Sequence, residues 1–276
     1  QAPAVDEAGR LLLEAPDRLV WAPDGNGGLF AALARHGALD RLADWGVSLL
    51  AYLHVANPLA TGGDARFLGH HLRRGSSFSC KAIARRGPEE KVGCFAFVDG
   101  RRRVVEYTEI PPDLAGARRA SGELLFRWAN PGIFLFSRDF LAAQATRRDL
   151  PFHKAHKAIP HLDDEGRPVT PTAPCGYKFE SFAMDTLPDA PVSLLLAVDR
   201  DEEFAPVKNR SGEDSPATCQ ALMSRLHASW IVAAGGRVET PAARIEISPH
   251  FALDAEELRQ RLPPGFVVTG DRLLEG

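Results

Sequence analysis

Apolar and polar positions along this chain fall into blocks that switch between strand-like and helix-like spacing. Residues 18–22 (R-L-V-W-A) read as extended and run into a glycine-rich turn at 22–28. Leu29, Ala32 and Leu33 then mark a helix that Gly37 ends, and a second short helix ends near Gly46. The unbroken apolar run at 47–55 predicts a strand buried on both faces, broken by Ala56-Asn57-Pro58. A helix over about 64–73 follows, then strand-like runs near 77–84, 92–98 and 103–109, two of them joined by an Asp99-Gly100 hairpin turn. Pro111-Pro112 opens a short helix. Residues 132–136 read as strand, 137–146 as helix, 160–176 as loop with one short hairpin, and 191–198 as a second buried strand. The clearest helix spans about 216–234, with Ser215 as N-cap, Pro216 at the first turn, and Gly235-Gly236 as its stop. Leu222, Leu226 and Trp230, with Cys219, read as core packing of that helix. A helix at 254–261 and a strand-like segment close the chain. The alternation predicts an α/β fold with a mixed, largely parallel sheet flanked by helices, and a division into residues 1–240 and a small C-terminal segment, 241–276.

Composition narrows the class without naming a function. With 276 residues, 45% hydrophobic and 25% charged, the chain is long enough for a sizeable core. A net charge of -3 gives no electrostatic case for nucleic acid, and Arg101-Arg102-Arg103 suits a solvated turn. No apolar run approaches the ~20 residues of a membrane helix. Cys80, Cys94, Cys175 and Cys219 are scattered without a C-x-x-C pair, so reduced thiols and a cytoplasmic setting are expected. His70-His71 and His153-x-x-His156 lack zinc-site spacing.

The segment Asp24-Gly25-Asn26-Gly27-Gly28 leads from a strand into a helix, where backbone amides can approach a nucleotide closely. Alone it reads as an ordinary strand-to-helix turn. Other segments accompany it in fixed order: K-V-G (91–93), V-V-E-Y-T-E-I (104–110), L-L-F-R-W-A-N (124–130), A-H-K-A-I-P (155–160), G-Y-K-F-E-S-F (176–182), E-F-A-P-V-K-N (203–209) and D-S-P-A-T (214–218). By residue type alone, Glu106 reads as a solvated carboxylate, Asn130 as a turn former, and Lys157 and Lys208 as surface lysines.

Together, from about residue 10 to 250, these segments resemble the eukaryotic-type UDP-N-acetylglucosamine pyrophosphorylases within the UDP-sugar pyrophosphorylase family. The resemblance implies a Rossmann-like nucleotidyltransferase core that joins UTP to a sugar 1-phosphate and releases pyrophosphate, with Mg²⁺ as cofactor. It implies nucleotide contacts from Gly25 and Lys157, and sugar-side contacts from Asn26, Gly93, Glu106, Tyr107 and Asn130. Lys157 and Lys208 would face the phosphates, where an ammonium stabilises charge gathered in the transition state. N-acetylglucosamine 1-phosphate is the expected acceptor. Glucose or galactose 1-phosphate, or a catalytically inactive sugar-nucleotide-binding homologue, are the alternatives.

Two departures from the family pattern stand out. The phosphate-gripping loop of the form G-x-G-T-R-L-G does not occur in these 276 residues, and the chain begins with Gln1. A fragment or split gene product is therefore expected, incomplete at the N-terminus of its sheet, with an unpaired edge and exposed apolar surface. Second, the family's V-D-N motif is V-A-N here, so Ala56 stands where an aspartate would help hold Mg²⁺. Asp64 is close in sequence but is expected to belong to the next helix.

Overall fold

The computed structural model describes residues 1–147 and 149–276. Its main sheet has seven strands: β1 (Leu49–Leu53), β2 (Phe78–Ala84), β3 (Cys94–Val98), β4 (Arg101–Val105), β5 (Trp128–Ala129), β6 (Ile133–Ser137) and, after a ribbon of β7 (His153–Lys157) with β8 (Gly176–Glu180), β9 (Ser193–Ala197). Strand β6 lies between β1 and β2 and is antiparallel to both, while β9 lies parallel to β2. β1, β2 and β9 thus run the same way, but only β2–β9 is a directly hydrogen-bonded parallel pair. The expected largely parallel sheet is therefore corrected to a mixed, mostly antiparallel one. The reason is β6, whose Ile133, Phe134, Leu135 and Phe136 are all buried, so that its sequence carries no sign of its direction.

Strands β5 and β6 are two parts of one run along the same edge of β2, interrupted at Asn130-Pro131-Gly132. Below the break β6 continues the sheet towards β1. Above it Ala129 pairs with both Ile83 of β2 and Cys94 of β3, and the β3–β4 hairpin extends from there. The sheet forks at this break. The hairpin turns at Asp99 and Gly100, both with positive φ, as the Asp-Gly pair predicts.

Eight α-helices occur among the described residues. They are α1 (Leu29–Arg35), α2 (Ala38–Asp44), α3 (Ala65–Arg74), α4 (Pro112–Ala115), α5 (Arg138–Ala145), α6 (Arg200–Glu203), α7 (Pro216–Ala233) and α8 (Ala255–Arg261). Asp64 caps α3 through the Phe67 amide, and Ser137 caps α5 through that of Phe140. The main core is aromatic: Phe78 sits 4.3 Å from Phe136 and 5.4 Å from Phe134, with Phe30 of α1 edge-on to Phe136. A second core joins Ile231 of α7 to Ile245, Ile247, Leu258 and Leu274, so the C-terminal segment packs on the end of α7. Cys219, Leu222, Leu226 and Trp230 share a third cluster, as their spacing predicts.

The 47–55 run is not buried on both faces. β1 is a sheet edge, and Leu53 and Val55 are exposed. The buried Ser215 caps α7 with a reciprocal bond pair: its Oγ accepts from the Thr218 amide, and the Thr218 hydroxyl accepts from the Ser215 amide at 2.9 Å. We expect Ser215→Ala to cost about 1 kcal/mol, read as a fall of roughly 2–4 °C in Tm.

Candidate functional site

A cleft of about 230 Å³ opens at the fork of the sheet. Its walls come from the glycine-rich turn, the upper end of β1, the base of the β3–β4 hairpin, the β5–β6 break and two segments further along. Among the residues expected from sequence, Asn26, Gly93, Glu106, Asn130 and Lys208 line it.

The geometry explains the residue types. The glycine-rich turn packs on Ser181: the Ser181 amide donates to the Asp24 carbonyl at 2.8 Å, and Gly27 donates back to the Ser181 carbonyl at 2.9 Å. At Gly25, φ is +80° and a Cβ would run into the Ser181 carbonyl oxygen, so only glycine fits. Gly25 itself stands outside the cleft lining. Its neighbour Asn26 reaches in, accepting from the Ala183 amide and donating to the Tyr52 hydroxyl, both at 2.7 Å.

The other wall rests on the open end of the β3–β4 hairpin. Cys94 pairs with Val105, which sets Gly93 opposite Glu106. A Cβ on Gly93 would lie 2.8 Å from Glu106 Oε1, so the missing side chain makes room for the carboxylate. Burial pushes the Glu106 carboxyl above its usual range; His153 opposes this, and Glu109, Asp185 and Glu180 add to it. Asn130 closes the fork: its amide donates to the Gly93 carbonyl at 2.9 Å, and its Oδ1 accepts from the Gly132 amide at 2.9 Å. Lys208 faces the cleft with Nζ 3.6 Å from Asp214 and lies over the Phe204 ring.

Besides Gly25, two expected residues lie outside the lining. Tyr107 is exposed and does not line the cleft. Lys157 ends β7 opposite Gly176, exposed and also outside the lining. Conversely, Tyr52, His54, Lys91, Phe182 and Met184 line the cleft without having been singled out from sequence. Tyr52 and His54 were accessible from the two-residue period of β1 carried one residue past its end, which turns both to one face. Desolvation, aided by Lys208, holds the His54 pKa below its ordinary value.

For Mg²⁺ the donors do not fit the implied arrangement. Ala56 offers only its carbonyl, which accepts from the Val207 amide at 2.7 Å. Asp64 caps α3 and pairs with Lys81 at 2.6 Å. Among the described residues no group of three or more His, Cys, Asp or Glu is arranged for a metal ion.

The fold and cleft define an α/β protein with a cleft that gathers a carboxylate, Glu106, two asparagines, Asn26 and Asn130, and the ammonium of Lys208. The chain belongs to the UTP–glucose-1-phosphate uridylyltransferase family, whose model matches residues 1–262. It is 38% identical over 240 residues to the mouse UDP-N-acetylhexosamine pyrophosphorylase-like protein 1, covering 85% of this chain and 47% of that protein. It is 36% identical over 267 residues to the Arabidopsis thaliana UDP-N-acetylglucosamine diphosphorylase 1, covering 93% and 51%. The chain thus spans about half the length of the curated relatives it matches. Among solved structures, the Trypanosoma brucei UDP-N-acetylglucosamine pyrophosphorylase superposes with a TM-score of 0.78 at 30% identity, over 97% of this chain and 59% of that one. An Entamoeba histolytica structure assigned the same activity gives a TM-score of 0.87 at 29% identity, over 99% and 68%. The family resemblance read from the ordered motifs is borne out.

Proposed function

We propose that this chain forms the sugar-side half of a UTP:sugar-1-phosphate uridylyltransferase site, with N-acetylglucosamine 1-phosphate as acceptor and UDP-N-acetylglucosamine and pyrophosphate as products. The observation that carries this reading is the convergence of Asn26, Gly93, Glu106, Asn130 and Lys208, drawn from five separate segments, on one cleft. The names of the relatives support the N-acetylated sugar over glucose or galactose. The common direction of β1, β2 and β9 supports a Rossmann-like core. The free thiols, three of them buried, suit a cytoplasmic setting.

In the proposed reaction the α-phosphate of UTP is attacked by a phosphate oxygen of the sugar 1-phosphate, and pyrophosphate leaves. The chain's part is to bind and orient: Glu106 accepts hydrogen bonds from sugar hydroxyls, Asn26 and Asn130 fix the sugar nucleotide, and the Lys208 ammonium faces the phosphates. Lys157 lies outside the cleft lining, so its proposed phosphate role is supported by the family resemblance alone. The reading assigns Mg²⁺ no carboxylate from this chain.

Calorimetry with UDP-N-acetylglucosamine, UDP-glucose and UDP tests binding, and pyrophosphate release from UTP and each sugar 1-phosphate tests catalysis. Preference for the N-acetylated sugar in both is expected. Failure to bind any UDP-sugar would overturn the reading. Ala56 favours the second reading, a sugar-nucleotide-binding homologue that does not turn over. Binding without pyrophosphate release, together with a large gain in rate in Ala56→Asp, would select it.

A further inference from the structure

One histidine ties the two walls of the cleft together. His153 begins β7, and its largely buried ring has a carboxylate at each nitrogen. Nδ1 lies 2.7 Å from Glu109 Oε1, and Nε2 lies 3.1 Å from both oxygens of Asp185. A neutral imidazole carries one N–H and would turn a lone pair towards one of these carboxylates. Only the doubly protonated ring donates to both.

Each carboxylate in turn holds a wall. Glu109 Oε2 accepts from the Glu106 amide at 3.3 Å, and the Glu109 amide donates to the Glu106 carbonyl at 2.8 Å, which closes the turn carrying Glu106. Asp185 Oδ2 accepts from the Phe182 amide at 2.9 Å. Of the two residues between them, Ala183 donates to Asn26 and Met184 accepts from Asn130. The Phe182 ring packs 5.0 Å from the imidazole. Four carboxylates surround the ring: Glu109 and Asp185 in contact, Glu106 within coulombic reach, and Glu180 as the register partner of His153 on β8. Among the described residues none of the four forms an ion pair with lysine or arginine, and His153 is the cationic partner there of Glu109 and Asp185.

We propose that His153, as an imidazolium between Glu109 and Asp185, is a positioning residue that holds the Glu106 turn and the Phe182–Asp185 segment at the spacing the sugar side of the cleft requires. The proposal rests on the reading that Glu106 faces the sugar. It has a pH signature. The hydrogen bond to Asp185, and after it that to Glu109, raises the His153 pKa to about 9 against the opposing cost of burial. The clamp is whole at neutral pH and opens as pH rises through that value, when one carboxylate loses its donor.

The test uses the whole 276-residue chain. The His153 ring resonances, assigned by their absence in His153→Gln, are followed against pH. Amide shifts of residues 106–109 and 182–184 are recorded in both proteins. The ratio of UDP-N-acetylglucosamine to UDP affinity is measured by calorimetry at each pH, so that ionisation of uracil cancels. The ring is expected to stay protonated to about pH 9, and the ratio to fall about 5-fold above it, the worth of about one ordinary hydrogen bond transmitted to the ligand. In His153→Gln the ratio is expected to be about 5-fold lower at neutral pH and flat. Glu109→Gln removes an exposed partner only, and serves if the histidine variant does not fold; an intermediate loss is expected. Titration near 6.5 with unmoved amides would overturn the clamp, and so would a wild-type ratio and pH profile in both variants. If the wild-type chain binds no UDP-sugar while the ring and amide results hold, the sugar reading fails and the clamp stands as a structural device.

Discussion

Lys81→Ala is expected to destabilise the chain by about 3–5 kcal/mol, a fall of roughly 10 °C in Tm for a chain of this size. Lys81 lies on β2 with 1% of its side chain exposed. Its ammonium donates to the Thr61 carbonyl at 2.6 Å and pairs with Asp64 at 2.6 Å and Glu203 at 2.5 Å. It thereby joins the centre of the sheet to the cap of α3 and to the end of α6. Removing it leaves two carboxylates facing each other without a counter-ion. Burial already raises the Glu203 carboxyl above its usual range, with Lys81 opposing. Without Lys81 that shift grows, the folded state binds a proton more tightly, and the variant's deficit should shrink as pH falls towards the carboxylate range. The effect should also reach the cleft. Asn57 receives the Ala205 amide and donates to the Glu203 carbonyl, anchoring the segment that leads to Phe204, Pro206 and Lys208. Urea melts at pH 5 and 7.5 check both parts. A loss below about 1 kcal/mol would place Lys81 with weak surface pairs instead.

Glu106→Gln is expected to weaken UDP-N-acetylglucosamine binding about 100-fold, the worth of one or two charge-assisted hydrogen bonds, while leaving stability unchanged or slightly higher. The sign of the stability effect follows from burial. The folded pKa is raised above the unfolded one, so the ionised carboxylate is disfavoured by the fold at neutral pH and its removal relieves that cost. Glutamine keeps the shape over Gly93 but not the charge. Calorimetry and a thermal melt on the same preparation separate the two effects. Equal loss of binding and stability would mean that Glu106 serves the fold rather than the ligand.

Much of the local structure was legible before any coordinates. Asp64, Ser137 and Ser215 start helices because their side chains accept from amides three residues on, a purely local arrangement. The Asp99-Gly100 turn is legible for the same reason. The site was legible in part through motif order, which led to Asn26, Gly93, Glu106, Asn130 and Lys208 without geometry. What escaped depends on distant partners. A strand buried on both faces, such as β6, looks the same whichever way it runs, so the antiparallel pairing was missed. The run at 47–55 is apolar enough for a central strand, yet β1 lies at an edge. Lys81 reads from sequence as a surface lysine, since its two carboxylates are 17 and 122 residues away. His153 likewise has its partners 44 and 32 residues away.

The parting of the sheet at Asn130-Pro131-Gly132 bears on how far the cleft and the sheet depend on each other. On one side the Asn130 amide is latched to Gly93, and on the other the His54 amide is latched to the Gly132 carbonyl at 3.0 Å. Pro131, between the latches, has no N–H to satisfy. An added or exchanged residue there would widen or narrow the opening without unzipping a strand on either side. The width of the cleft and the integrity of the sheet are therefore set by separate stretches of backbone, which meet only at this break.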